Sequence, residues 1–187
     1  MRKISIRDQG LVGTFFQPEL SRKLPGLILL PGSEGGIPEA FAEKLANVGY
    51  CVLALGYFGV EGLPETLENI PLRYFLQAFL WLKRQPQIRG NSIGLIGYSR
   101  GAELALLLGS FYPDLMNTLI TYVPSSVVCG GFPYPNRPAW VRRKNPITPF
   151  LSGLSNHCID LTESEDLTLA TQSGEIPYHA DTDQDPY

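Results

Sequence analysis

Long apolar runs are missing from this sequence of 187 residues. A helix that crosses a membrane needs about 20 consecutive apolar residues, and the longest runs here are far shorter, so we expect no membrane contact. Residues 1–8 include basic side chains, but no apolar segment follows them as it would in a secretory signal peptide. Together these two absences favour a cytoplasmic protein.

Cysteine is scarce, because Cys51, Cys129 and Cys158 are the only three. An odd number without regular spacing does not form a disulfide framework, which agrees with a reducing compartment. Cys51 opens an apolar run, where a thiol packs as a small hydrophobic group. No grouping of His, Cys, Asp and Glu has the spacing of metal ligands, so we predict no metal and no cofactor.

Positive charge is missing from the last part of the chain. All 15 Lys and Arg residues lie at or before Lys144, and residues 160–187 carry eight acidic side chains and no basic one. The net charge of −3 therefore sums a mildly basic body and an acidic end. No basic stripe with interleaved aromatic residues occurs, so we expect no nucleic-acid partner.

Short apolar runs alternate with helical patterns over the first 123 residues. Such alternation, with connections long enough for crossovers, predicts a mostly parallel sheet covered by helices on both faces, an α/β fold. The run at 118–123 reads as a fourth strand buried on both faces. The predicted strands are 3–8, 11–17, 27–30, 51–55, 92–98 and 118–123, and the predicted helices are 38–48, 71–86 and 102–110. In the first helix Phe41, Leu45 and Val48 lie at helical spacing.

The pattern changes after about residue 130. Five prolines break up any long element there, at positions 133, 135, 138, 146 and 149. Residues 152–187 contain no buried-strand run and no long amphipathic helix. We therefore expect a partial domain over 1–150 and a poorly structured acidic tail over 151–187.

A serine with a glycine on each side stands between a predicted strand and a predicted helix. Gly97-Tyr98-Ser99-Arg100-Gly101 matches the G-x-S-x-G pattern of a nucleophile elbow, in which a sharp turn presents the serine hydroxyl. The two glycines lack the Cβ atoms that would clash in so tight a turn. We predict that Ser99 is a catalytic nucleophile; the alternative is a tight turn whose serine only caps the helix.

A glycine-rich loop at residues 31–36 follows another predicted strand. Ligands of parallel sheets bind at the carboxyl ends of the strands, and both this loop and Ser99 lie there. The backbone N–H of Arg100 would form one half of an oxyanion hole, and the N–H of Ser33 or Glu34 would form the other. No Gly-Lys-Ser/Thr follows the loop, which argues against a Walker A phosphate site.

Several segments together resemble a known family. The chain is similar to the C-terminal α/β-hydrolase domain of acyl-CoA thioesterases and bile acid-CoA:amino acid N-acyltransferases, and also to dienelactone hydrolases. The resemblance covers about residues 10–150. The matching segments are Leu30–Gly36, Tyr57–Pro64, Ile70–Phe75, Gly97–Leu106, Pro124–Val128 and Ala139–Trp140.

The resemblance implies a three-layer α/β-hydrolase sandwich in which Ser99 accepts the acyl group. The amidating members of the family carry cysteine at this position, so the serine favours transfer to water, as in acyl-CoA thioesterases. The substrate would be a small molecule, either an acyl-CoA or an ester. Arg142, Arg143 and Lys144 could meet the phosphates of coenzyme A, although a solvated basic turn is the simpler interpretation.

The chain departs from the family after the elbow. The family's catalytic Asp and His follow later strands, and we find no such strand or turn here, so we expect a sheet that lacks its last strands, truncated at the carboxyl side. Its exposed edge would favour self-association. The general base and acid stay unassigned; Asp160 with His179, or His157, are weak candidates. The alternative function is a catalytically incomplete fragment or pseudoenzyme that at most binds acyl ligands.

Overall fold

The computed structural model describes residues 1–8 and 10–149. Contacts divide the chain into two units, Met1–Asn156 and His157–Tyr187. The predicted acidic tail, both histidines and Cys158 therefore lie outside the described residues. The strands are β1 Arg2–Asp8, β2 Leu11–Gln17, β3 Leu24–Leu30, β4 Cys51–Gly56, β5 Ile70–Pro71, β6 Ile88–Tyr98, β7 Thr118–Tyr122, β8 Trp140–Arg142 and β9 Asn145–Pro146; the helices are α1 Glu39–Asn47, α2 Leu72–Lys83 and α3 Arg100–Phe111.

Six strands form the central sheet, in the order β1-β2-β4-β3-β6-β7. The hairpin β1–β2 joins the sheet antiparallel, whereas β3, β4, β6 and β7 run parallel to one another. At the centre Ile28 of β3 pairs with Leu53 on one side and Leu95 on the other. The predicted mostly parallel sheet is confirmed, and its parallel strands bring their carboxyl ends to one edge.

Helices cover both faces of the sheet. Two apolar clusters lie on opposite faces because successive residues of a strand point to opposite sides. The cluster under α1 contains Leu27, Leu29, Val52, Ala54 and the helix residues Ala42 and Ala46. The larger cluster, under α2 and α3, contains Ile28, Leu30, Leu53, Leu55, Leu95, Phe75, Phe79 and Leu104. The predicted three-layer arrangement is therefore confirmed.

Of the three apolar residues whose spacing predicts helix α1, only Leu45 packs against the core. Phe41 is 40% exposed and Val48 is 72% exposed, whereas Ala42 and Ala46 are buried. Small side chains let the helix backbone approach the sheet closely, and the Phe41 ring turns instead toward Tyr122, with ring centroids 6.4 Å apart. The helix exists as predicted, and its fully buried residues are the two alanines.

The prediction that 118–123 is a strand buried on both faces is also wrong. β7 lies at the edge of the sheet, and alternate residues along it are exposed. Ile120 is 39% exposed, Tyr122 47% and Val123 70%. A continuous apolar run shows that a strand can be buried. Whether it is buried also depends on another element packing beyond it, at the edge of the sheet.

Residues after 130 form short elements, as the prolines predict. β8 and β9 make a hairpin, and β8 pairs with the two-residue strand β5 before α2. Trp140 of this hairpin is fully buried against Tyr57 and Phe75. No helix within the described residues is long and apolar enough to cross a membrane.

Candidate active site

Ser99 lies at the junction between β6 and α3 with a backbone that L-residues rarely adopt. Its φ is 51° and its ψ is −114°, a conformation that costs free energy unless neighbouring groups hold it. The Ser99 N–H donates to the Tyr122 carbonyl at 2.9 Å. Its carbonyl accepts the N–H groups of Ala102 and Glu103 at 2.9 and 3.0 Å. Hydrogen bonds on both sides thus hold the turn.

Both glycines of the elbow are required by close backbone approach. A Cβ on Gly97 would lie under 3.0 Å from the Gly101 carbonyl oxygen, and a Cβ on Gly101 would lie equally close to the carbonyl oxygens of Leu30 and Pro31. Real Cβ atoms do not tolerate such distances from backbone atoms. The predicted reason for the two glycines is confirmed, because strand, turn and helix pack without room for a side chain.

The Ser99 side chain does not cap the helix. Its hydroxyl makes no hydrogen bond to the first turn of α3, so the alternative role as a helix cap is wrong. The N–H of Arg100, the first of the helix, has no acceptor within the described residues. Orphan N–H groups at a helix N-terminus favour negative charge beside them, and here they lie next to the serine.

The loop at residues 31–36 lies directly beside the serine. A Cβ built on Gly32 would be 3.2 Å from the Cβ of Ser99. The buried Tyr57 hydroxyl donates to the Pro31 carbonyl at 2.8 Å, and burial raises the pKa of Tyr57, which keeps it a donor. The N–H groups of Ser33 and Glu34 make no hydrogen bond in the described part of the chain.

The carboxylate of Glu34 also lies beside the elbow. It accepts the Gly32 N–H at 2.9 Å, and a Cβ on Gly32 would be 2.6 Å from its second oxygen. Sequence reasoning considered only the backbone N–H of this residue. Its side chain was missed because a glutamate in an exposed loop carries no signal of the direction in which it turns.

A buried charged network ties the elbow helix to the rest of the domain. The Arg100 guanidinium donates to Glu103 and to the Gly130 carbonyl, both at 2.5 Å. The Trp140 indole N–H donates to the other Glu103 oxygen at 3.0 Å. Burial raises the pKa of Glu103 to about 8, and the Arg100 charge opposes that rise. The Arg100 side chain, which the sequence did not predict to matter, thus joins α3 to a loop 30 residues away.

An apolar groove of about 330 Å³ runs from the elbow along the α1 face of the sheet. Its lining includes Glu34, the elbow residue Tyr98, Phe41 and Tyr122. Leu29, Leu30, Pro31, Pro38 and Ile96 complete the lining. Apart from Glu34 these side chains carry no charge, so the lining of the groove suits an apolar chain.

Of the other predicted site residues, the structure describes only the basic turn at 142–144. His157, His179 and Asp160 lie outside the described residues. The Arg142 guanidinium stacks on Phe111 at 4.3 Å, at the opposite end of α3 from Ser99. This placement favours a structural role for the basic turn over contact with coenzyme A at the elbow. Among the described residues no three His, Cys, Asp or Glu side chains are grouped as metal ligands.

Solved structures place this architecture among the α/β hydrolases. An α/β hydrolase from Penicillium, GrgF, matches with a TM-score of 0.53 and 22% identity, over 66% of this chain and 45% of that one. A protein from Klebsiella pneumoniae assigned as a dienelactone hydrolase matches with a TM-score of 0.56 and 17% identity, over 66% and 59% of the two chains. At these identities the likeness establishes the fold class and no more.

Sequence relatives narrow the class to a family. The profile described as "BAAT / Acyl-CoA thioester hydrolase C terminal" matches residues 70–161. Mouse acyl-coenzyme A thioesterase 6 is 43% identical over 114 residues, 61% of this chain and 27% of the mouse protein. Human acyl-coenzyme A thioesterase 1 is 38% identical over 120 residues, 64% of this chain and 28% of the human protein. The chain is similar to this family over these residues, and it spans little more than a quarter of the length of these relatives.

Proposed function

We propose that this chain carries the nucleophile of a thioester or ester hydrolase. The Ser99 hydroxyl oxygen attacks the acyl carbonyl carbon, the thiol or alcohol leaves with a proton, and an acyl-serine ester remains. Water then attacks this ester, which releases the carboxylic acid and restores the serine. The observation that carries the proposal is the strained Ser99 backbone, since its hydroxyl is spent on no helix cap.

The oxyanion of each tetrahedral intermediate would be held by backbone N–H groups. The N–H of Arg100 belongs to a helix N-terminus, and the N–H of Ser33 belongs to the loop that abuts the serine. Both groups make no other hydrogen bond within the described residues. Donors placed before the reaction stabilise developing negative charge without reorganisation.

The substrate we propose is a small acyl thioester, with its acyl chain in the groove beside Ser99. The groove is lined by apolar side chains except at Glu34. The free energy of a hydrocarbon chain falls when it leaves water for such a surface. The named activity of the mouse and human relatives is acyl-coenzyme A thioesterase. The thioesterase activity of these relatives and the apolar lining of the groove both support an acyl thioester as the substrate.

A second candidate is a catalytically incomplete protein that binds acyl ligands. It is favoured by one observation on the sequence, since neither His157 nor His179 follows a predicted strand that would hold a general base beside Ser99. Without a general base an elbow of this kind keeps only about 10³–10⁴-fold catalysis over water, from the oxyanion hole and binding. The rate at which Ser99 reacts therefore separates the two candidates.

Labelling with a fluorophosphonate probe tests the proposal. We expect covalent labelling at Ser99 that is abolished in Ser99→Ala and unchanged in Ser110→Ala, an exposed serine at the other end of α3. Slow labelling that does not change in His157→Ala or His179→Ala would indicate the incomplete protein. Fast labelling lost in His179→Ala would identify that histidine as the base. If Ser99 is not labelled at all, the proposal that it is the nucleophile is wrong.

A further inference from the structure

The two edges of the central sheet differ in charge. β1, at one edge, carries Arg2, Lys3, Arg7 and Asp8 in seven residues. β7, at the other edge, has no charged residue, and none follows it before residue 137. Natural proteins place charges on edge strands to prevent pairing with another chain. The β1 edge has this protection and the β7 edge lacks it.

The unprotected edge also exposes apolar side chains beside its backbone. Within the described residues no strand pairs with the outer side of β7. Ile120 and Tyr122 point to the α1 face and are 39% and 47% exposed, and the half-exposed Phe41 ring lies beside Tyr122. A second strand on this side would bind the outer N–H and C=O groups and cover part of this surface.

We propose that β7 pairs antiparallel with β7 of a second copy of this chain, around a two-fold axis at Ile120. Thr118 then lies opposite the partner's Tyr122, and Ile120 lies opposite the partner's Ile120. The strand is uncharged, so no like charges meet across the axis, and aromatic and β-branched pairs of this kind stabilise antiparallel strands. The two six-stranded sheets become one continuous sheet.

Because the two edges differ in charge, the assembly stops growing at a dimer. After β7 has paired, the remaining edges of the joined sheet are the two charged β1 strands. A two-fold contact uses the same patch on both copies and leaves none for a third. The chain's own residues 151–187 are a poorer partner for β7, because their sequence has no buried-strand run and residues 160–187 carry eight acidic side chains.

Sedimentation or light scattering on the full chain tests the dimer. We expect a dimer whose dissociation constant rises at least about 100-fold in Ile120→Lys, because two ammonium groups then face each other across the axis. Leu80→Lys is the matched control, since Leu80 is 40% exposed on α2, and it should leave the dimer intact. A monomeric wild-type chain, or a dimer unaffected by Ile120→Lys, would overturn the proposal. Open-ended growth of the assembly with concentration would overturn the closed contact.

Cross-linking keeps the test valid if Ile120→Lys fails to fold. Opposite residues of an antiparallel pair have Cα atoms about 4.5–5.5 Å apart, which is within the reach of a disulfide. We expect Ile120→Cys to form a covalent dimer under mild oxidation faster than Leu80→Cys, which carries the same native cysteines. Equal rates for the two variants would contradict the proposed axis.

Discussion

Gly101 is a single residue on which strand, loop and helix converge. Its Cα faces the carbonyl oxygens of Leu30 and Pro31, at the end of β3. The same oxygen of Pro31 accepts the Tyr57 hydroxyl, so the loop cannot retreat without breaking a buried hydrogen bond. Because Gly101 has no Cβ, the elbow can pack directly against the loop that would complete the oxyanion hole. A methyl group at this position would push the two segments apart.

Gly101→Ala should lower the free energy of unfolding by about 2–3 kcal/mol, because overpacking against backbone atoms forces the backbone to shift. Gly109→Ala in the same helix is the control. Its Cβ would meet only the Leu119 side-chain end, at 3.1 Å, and alanine is the better helix former, so we expect a change within about 1 kcal/mol. Urea unfolding measures both. Equal losses in the two variants would contradict this account.

Helix α3 is held at its N-terminal turn by buried charge. Arg100 is 7% exposed and Glu103 is 3% exposed, and the pair is stabilised by Trp140 and the Gly130 carbonyl. When Glu103 is ionised, its buried pair with Arg100 repays the desolvation only because further hydrogen bonds satisfy it. The network therefore fixes the direction of the helix that follows Ser99 more than it adds net stability.

The network makes stability depend on pH in a defined direction. The folded-state pKa of Glu103, raised to about 8 by burial, lies above its ordinary 4.5, so the protonated form is favoured by folding. Its contribution is complete below pH 4.5 and is lost as the pH rises toward 8. The free energy of unfolding should therefore fall over this range, by about 1 kcal/mol per pH unit.

Glu103→Gln should remove that slope, since an amide does not titrate there and its oxygen can still accept the Trp140 N–H. Glu43→Gln, at an exposed position on α1, should keep it. Urea unfolding at pH 5, 6, 7 and 8 measures the slope. The same slope in Glu103→Gln as in the unmodified chain would show that Glu103 does not titrate in this range.

Elements of this fold could be predicted from local pattern, but their surroundings could not. The alternation of strands and helices and the glycines of the elbow depend on neighbouring residues, and the structure confirms them. The burial of 118–123 was predicted wrongly, because it depends on which element packs against that strand. The contacts of Arg100 with Gly130 and of Glu34 with Gly32 were not predicted, since side-chain direction is decided only in the folded chain.

At the scale of the whole molecule, the apolar core belongs to the first unit. Both apolar clusters lie within Met1–Asn156, including Trp140 near its end. The hairpin of β8 and β9 contributes that tryptophan to the cluster beneath α2 and α3. The core thus extends in sequence beyond the last strand of the central sheet.

A chain shortened to end at Asn156 should unfold cooperatively, with a midpoint temperature within about 3 °C of the full chain. A chain that ends at Pro138 is the control. It loses the fully buried Ala139 and Trp140, and it should melt at least about 10 °C lower or without cooperativity, because removing a buried Trp costs about 3–5 kcal/mol. Circular dichroism follows both melts. Similar losses in the two shortened chains would contradict the placement of the core.

The charged and the uncharged edge of the sheet are also synthesised at different times. Among the strands of the central sheet, β1 leaves the ribosome before the others and β7 leaves it after them. Since a chain is synthesised from its amino end, the sheet begins at its charged side and the uncharged edge emerges only when every other strand of the sheet is available. The edge proposed to pair with a second copy is therefore synthesised last. The rest of the sheet can fold before that edge is available for pairing.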